Sequence, residues 1–204
     1  SDVYDIINNI STKKKRNMKP RKLKLINSNI DLNNIQSPDE LEGALFEIFE
    51  DLKPCEYQIK EAYEYTMILP KEYYCDYNKW FNVGCALKNT DNRLFLAWML
   101  FSCQWENFDF TTDISKNYEL WKKMTPDVSN PITSRSIIYW ARVFGNNAQY
   151  KKVYEQTVDY HVEQTFPKQT DFDLAMVLYQ MYKDKYVCTC TKSTGSWMKF
   201  EKHK

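Results

Sequence analysis

The sequence predicts a mainly α protein, a helical bundle with a small C-terminal β-hairpin. Three observations carry that expectation. Apolar residues recur at three- and four-residue spacing over most of the chain between Leu41 and Tyr182. Capping residues stand ahead of those runs, with proline or glycine at several of the breaks between them. Only from Tyr186 onward does the pattern change to strict alternation. At 204 residues, 43% hydrophobic and 16% aromatic, the chain can bury a sizeable core.

In chain order, residues 1–36 read as a basic arm or linker, flexible or partly docked, with a short apolar patch ahead of a basic run and an Asn-rich stretch. Ser37-Pro38-Asp39-Glu40 marks a helix start, since serine can cap, proline suits the first turn and Glu40 sits where it can close a capping box. Leu41, Leu45, Ile48, Phe49 and Leu52 follow at helical spacing, and after Pro54 a second helix carries Ile59, Ala62, Tyr63, Thr66 and Met67. Residues 37–69 are thus a helical hairpin. A compact helical unit is expected over 70–145. It has a helix capped by Asp76, an all-round apolar and therefore central helix from Leu94 to Trp105, and a short helix with Tyr118, Trp121 and Met124. A last helix, from Thr133 or Ser134, should end at Gly145 in a left-handed cap. Residues 146–204 supply a long amphipathic helix to Thr165, a helix capped by Thr170 and Asp173, and the hairpin.

Familiar catalytic chemistry lacks its residues. The four glycines are far apart, so neither a Walker loop nor a dinucleotide-binding turn can be built. No paired carboxylates fall on a predicted strand, and the acids between Asp39 and Glu64 read as a solvated helical face. Six cysteines show no zinc-finger spacing with His161 or His203, so no metal site and no cofactor are expected in this segment. His161 reads as a core or interface histidine. The longest apolar stretch is too short to span a bilayer, and no membrane role is expected.

Binding chemistry is better represented. Net charge is only +1, yet the basic residues between Lys13 and Lys24 have no acid among them. Lys13, Lys14, Lys15 and Arg16 could contact phosphates. Around Gly145, Arg135, Arg142, Lys151 and Lys152 interleave with Tyr139, Tyr150 and Tyr154, the pattern of a surface that tracks a backbone and stacks bases. The DNA-binding candidates are therefore Lys13, Lys14, Lys15, Arg16, Arg135, Arg142, Tyr150, Lys151 and Lys152.

The run Trp80-Phe81-Asn82-Val83-Gly84-Cys85-Ala86-Leu87, then Leu94-Phe95-Leu96-Ala97-Trp98, Trp121, and Ala141 four residues before Gly145, resembles the second-type primase C-terminal domain of viral and plasmid primase–helicases. Downstream, Asp173-Leu174-Ala175, Tyr182-Lys183-Asp184, Tyr186-Val187-Cys188 and Trp197-Met198-Lys199-Phe200 are similar to the segment preceding the superfamily 3 helicase core in poxvirus-type proteins. The resemblance implies the middle of a nucleocytoplasmic large DNA virus primase–helicase, with 70–145 the primase C-terminal-like domain and 146–204 a collar-like segment, truncated. It further implies a parent chain using ATP and magnesium, acting in the host cytoplasm or the virion. Implied partners are single-stranded DNA and the primase and helicase domains of the same polypeptide, with homo-oligomerisation in the parent. An assembly scaffold without direct DNA contact is the alternative.

Overall fold

A computed structural model describes residues 23–25, 29–125, 131–167, 170–183, 185–188 and 196–199. It is mainly α. The helices are α1 (Pro38–Glu50), α2 (Tyr57–Met67), the single turn α3 (Glu72–Cys75), α4 (Tyr77–Thr90), α5 (Phe95–Ser102), α6 (Asp113–Lys123), α7 (Ser134–Phe144), α8 (Asn147–Thr165) and α9 (Asp171–Tyr182). A two-stranded antiparallel hairpin follows, β1 (Tyr186–Cys188) against β2 (Trp197–Lys199), with Val187 opposite Met198.

The caps lie where side-chain chemistry places them. The Ser37 hydroxyl accepts from the Glu40 amide, and Asp76 accepts from the Lys79 amide. The Glu40 carboxylate reaches one residue beyond the expected capping box, to the Gln36 amide at 2.7 Å. Thr133 opens α7, and Thr170 with Asp173 closes a capping box on α9.

The core centres on α5. Every residue from Phe95 to Ser102 is buried, as an all-round apolar helix requires. The helix is shorter than expected: it stops at Ser102, and Trp105 lies beyond it, partly exposed. Against α5 lies α4. The Trp80 indole donates to the Ser102 hydroxyl (2.7 Å), Ser102 donates to the Trp98 carbonyl (2.6 Å), and the Trp98 indole donates to the Trp80 carbonyl (3.2 Å). The two indoles stack with centroids 4.4 Å apart. Gly84 makes this contact possible, because a Cβ there would stand 2.6 Å from the Trp98 ring. Trp121 of α6 completes the cluster, 5.5 Å from both Trp98 and Phe95.

The end of the N-terminal segment is docked. Leu25, Leu32 and Ile35 join the core, and Tyr118 donates its hydroxyl to the Lys24 carbonyl at 2.9 Å. At the other end of the domain, Gly145 caps α7 with φ −78° and ψ 177°, so the expected left-handed cap does not form. Space decides that position instead. A Cβ would lie 2.4 Å from the Ala141 carbonyl oxygen and 3.2 Å from that of Ile68.

The last two helices form where expected, but they pack through a polar seam. α8 buries Val153, Thr157, His161 and Thr165 at four-residue steps, a largely polar seam whose threonine hydroxyls are satisfied by backbone carbonyls. α9 packs on α8 and buries Gln180, while Leu174, Leu178, Met181 and Tyr182, whose spacing marks the helix, are exposed. A polar seam favours an amide over a leucine, so the apolar side of α9 turns outward. Among the described residues, no helix is long and apolar enough to cross a membrane.

Candidate nucleic-acid interface

α7 is divided cleanly between core and solvent. Ile137 and Ala141 are buried, while Arg135, Tyr139, Arg142 and Val143 are exposed. Spacings of four, seven and eight residues put these four on one helical face, with Arg135 and Arg142 about 10 Å apart along the axis. The Arg142 guanidinium lies 5.9 Å from the Tyr139 ring centroid. The start of the helix is fixed to α4, with the Ser134 amide donating to the Thr90 hydroxyl (3.0 Å) and the Asn89 amide group donating to the Ile132 carbonyl (2.8 Å). This stripe is therefore rigid, basic and aromatic.

Two residues, Gly145 and Asn146, link α7 to α8. Asn146 caps α8 by accepting from the amides of Ala148 and Gln149. Lys151 and Lys152 are exposed near the start of that helix. Lys151 lies 3.8 Å from Glu155, whereas Lys152 has no acidic partner among the described residues. Tyr150 faces inward: it is half-buried against the core, its ring 5.3 Å from that of Tyr65. The structure thus brings Arg135, Arg142, Lys151 and Lys152 onto two consecutive helices and gives Tyr150 a packing role. Lys13, Lys14, Lys15 and Arg16 lie outside the described residues, as do Cys190 and the hairpin turn.

Sequence reasoning did not find the cleft that opens beside the start of α7. It has a volume of about 1060 Å³ and is walled by α2, α7, α8, α9 and the hairpin. Its polar wall contains a buried ion pair, Lys183 to Glu61 at 2.8 Å. Beside it, His161 Nε2 lies 3.3 Å from Gln180 Nε2. Burial, and then the Lys183 charge, push the His161 pKa below its usual value. The neutral ring can accept at Nε2 from the Gln180 amide nitrogen. That leaves Gln180 Oε1 buried with no partner among the described residues.

The rim of the cleft is aromatic and basic. Tyr179, Tyr182, Tyr186 and Trp197 are exposed; Lys183 lies 6.0 Å from the Tyr179 centroid, and Lys185 lies 5.5 Å from that of Tyr182. A signal was present in the sequence, since Tyr179-Gln180-Met181-Tyr182-Lys183-Asp184-Lys185-Tyr186 interleaves tyrosine and lysine much as residues 139–154 do. Arg135 also lines the cleft, so it belongs to both surfaces. No cluster of three or more His, Cys, Asp or Glu able to hold a metal occurs among the described residues.

Residues 62–141, from within α2 to within α7, match the family Primase C terminal 2 (PriCT-2). Proteins named as primases in African swine fever virus, from a Namibian warthog isolate and a Kenyan pig isolate, are each 32% identical over 142 residues. Those alignments take in 66% of this chain and 14% of each viral protein, so the chain spans a small part of the length of the relatives it matches. Residues 62–141 carry the PriCT-2 match, and the chain resembles part of a large-DNA-virus primase.

Proposed function

We propose that this chain is a non-catalytic central module of a viral DNA-replication primase–helicase, binding single-stranded template and coupling the primase domain to the ATP-driven helicase ring. The observation that carries the reading is the exposed stripe Arg135–Tyr139–Arg142 on α7, with Lys152 exposed near the start of the next helix, α8. Cations along such a stripe can meet phosphates of a strand while an aromatic face between them meets a base. In this reading primer synthesis and magnesium-dependent ATP hydrolysis belong to other parts of the polypeptide, and the module works at viral replication sites in the host cytoplasm or in the virion.

Fluorescence anisotropy with a labelled single strand, across a salt series and against duplex, tests it. Binding should favour the single strand and weaken steeply with salt. Replacing Arg135, Arg142 and Lys152 together by alanine should lower the salt slope by roughly 2, about 0.7 for each phosphate no longer neutralised. An unchanged slope and affinity would remove this face from the interface.

An assembly scaffold is the second reading, favoured by the outward Phe172, Leu174, Leu178 and Met181 of α9. It requires association or docking without DNA affinity. A monomer by light scattering at high concentration, together with clear DNA binding, would sink it.

A further inference from the structure

We infer that the cleft walled by α2, α7, α9 and the hairpin is a second nucleic-acid contact, in which bases of a single strand stack on Tyr179, Tyr182 and Trp197. This rests on the reading of α7 as a single-strand surface and extends it to a segment outside the PriCT-2 match.

The argument begins with what is exposed. Trp197 is 72% exposed, Tyr179 47% and Tyr182 40%. An indole and two phenols held at a cleft mouth present π-faces to solvent at little further entropic cost, since each has only two side-chain torsions. Each tyrosine has a lysine within about 6 Å of its ring, Lys183 beside Tyr179 and Lys185 beside Tyr182. Lys183 is committed to Glu61, so of these two lysines it is the exposed Lys185, beside Tyr182, that can meet a phosphate while the rings meet bases.

Position supplies the second step. Arg135 stands at the start of α7, at the head of the outer stripe, and lines the cleft. A backbone followed along Arg142, Tyr139 and Arg135 therefore arrives at the cleft with its phosphate at a guanidinium and at the positive end of the helix. Among the described residues, Arg135 has no acidic partner to neutralise it. The cleft wall adds a third feature. Gln180 is only 6% exposed, its amide nitrogen is engaged by His161, and its Oε1 has no partner among the described residues. A small turn of that side chain would offer the acceptor to an exocyclic amino group or ring N–H, a donor that every base carries.

The test uses the whole 204-residue chain and two labelled strands of equal length, one with bases and one with abasic sites at its centre. Tyr179→Ala and Trp197→Ala remove exposed rings, and thermal melting should confirm that the fold is unchanged. The expected result is a loss of about five- to a hundredfold in affinity for the normal strand, the range of base–aromatic stacking. The salt slope should not change. The unsubstituted protein should prefer the normal strand to the abasic one, and the variants should lose that preference. If the alanine variants bind both strands as the unsubstituted protein does, the inference fails while the α7 surface stands. If the unsubstituted protein binds no single strand even at low salt, both readings fail. Variants that change self-association but not DNA affinity would assign the cleft to a protein partner and overturn the inference.

Discussion

At the scale of single residues, the positions that carry the primase resemblance are explained by packing. Gly84 lies where the Trp98 indole crosses α4, and Gly145 lies where the end of α7 meets the Ala141 and Ile68 carbonyls. Both were legible as glycines in a pattern; neither showed its reason until the neighbouring helix was in place. The left-handed cap expected at Gly145 was wrong because chain spacing reports a helix end but not the carbonyls, Ala141 of α7 and Ile68 at the end of α2, that crowd the position. Gly84→Ala should destabilise the protein by about 1–3 kcal/mol, the cost of overpacking a core, with the indole forced off its stack. Thermal denaturation and the near-ultraviolet circular dichroism of the tryptophans would report it. An unchanged melting temperature would show that α4 and α5 can separate without penalty.

At the scale of elements, α9 is where sequence and structure part. Leu174, Val177, Leu178 and Met181 announce a helix by their period, but period does not say which neighbour the helix meets. The neighbour is the polar seam of α8, so Gln180 goes in and the leucines go out. Lys183 and Glu61 fasten this arrangement to α2 with side chains only 14% and 7% exposed. Lys183→Met should cost about 3–5 kcal/mol by leaving a carboxylate buried without its partner, and a second change, Glu61→Gln, should restore much of the loss. Chemical denaturation of the single and double variants decides the matter; equal stabilities would mean the pair contributes nothing. His161 adds a pH dependence. Its folded pKa lies below the ordinary 6.5, so on acidification the unfolded chain takes the proton first. Stability should therefore be full above about pH 6.5 and decline as pH falls toward the folded value. His161→Gln should flatten that decline in a pH series of melting curves. Parallel curves for the two proteins would refute a neutral buried imidazole.

At the scale of the whole molecule, one continuous core runs from Leu25 to Val153 and so reaches beyond both ends of the PriCT-2 match. The helical class and the central α5 could be read from periodicity, and the Trp80 and Trp98 motifs from the family resemblance. The cleft could not, because its walls come from segments around residues 57, 135, 161, 180 and 197 that only the fold assembles. Removing residues 1–36 should lower stability, since Leu25, Leu32 and Ile35 would leave the core and each buried side chain of this size contributes about 1.5–3 kcal/mol. A truncated protein that melts with the full chain would show that this docking is idle. The stacked indoles of Trp80 and Trp98 have a use outside mechanics. Two chromophores 4.4 Å apart couple their electronic transitions, and the resulting exciton couplet in the circular dichroism spectrum depends on the angle between them. The protein thus carries an intrinsic optical gauge of whether its core remains closed when single-stranded DNA is added.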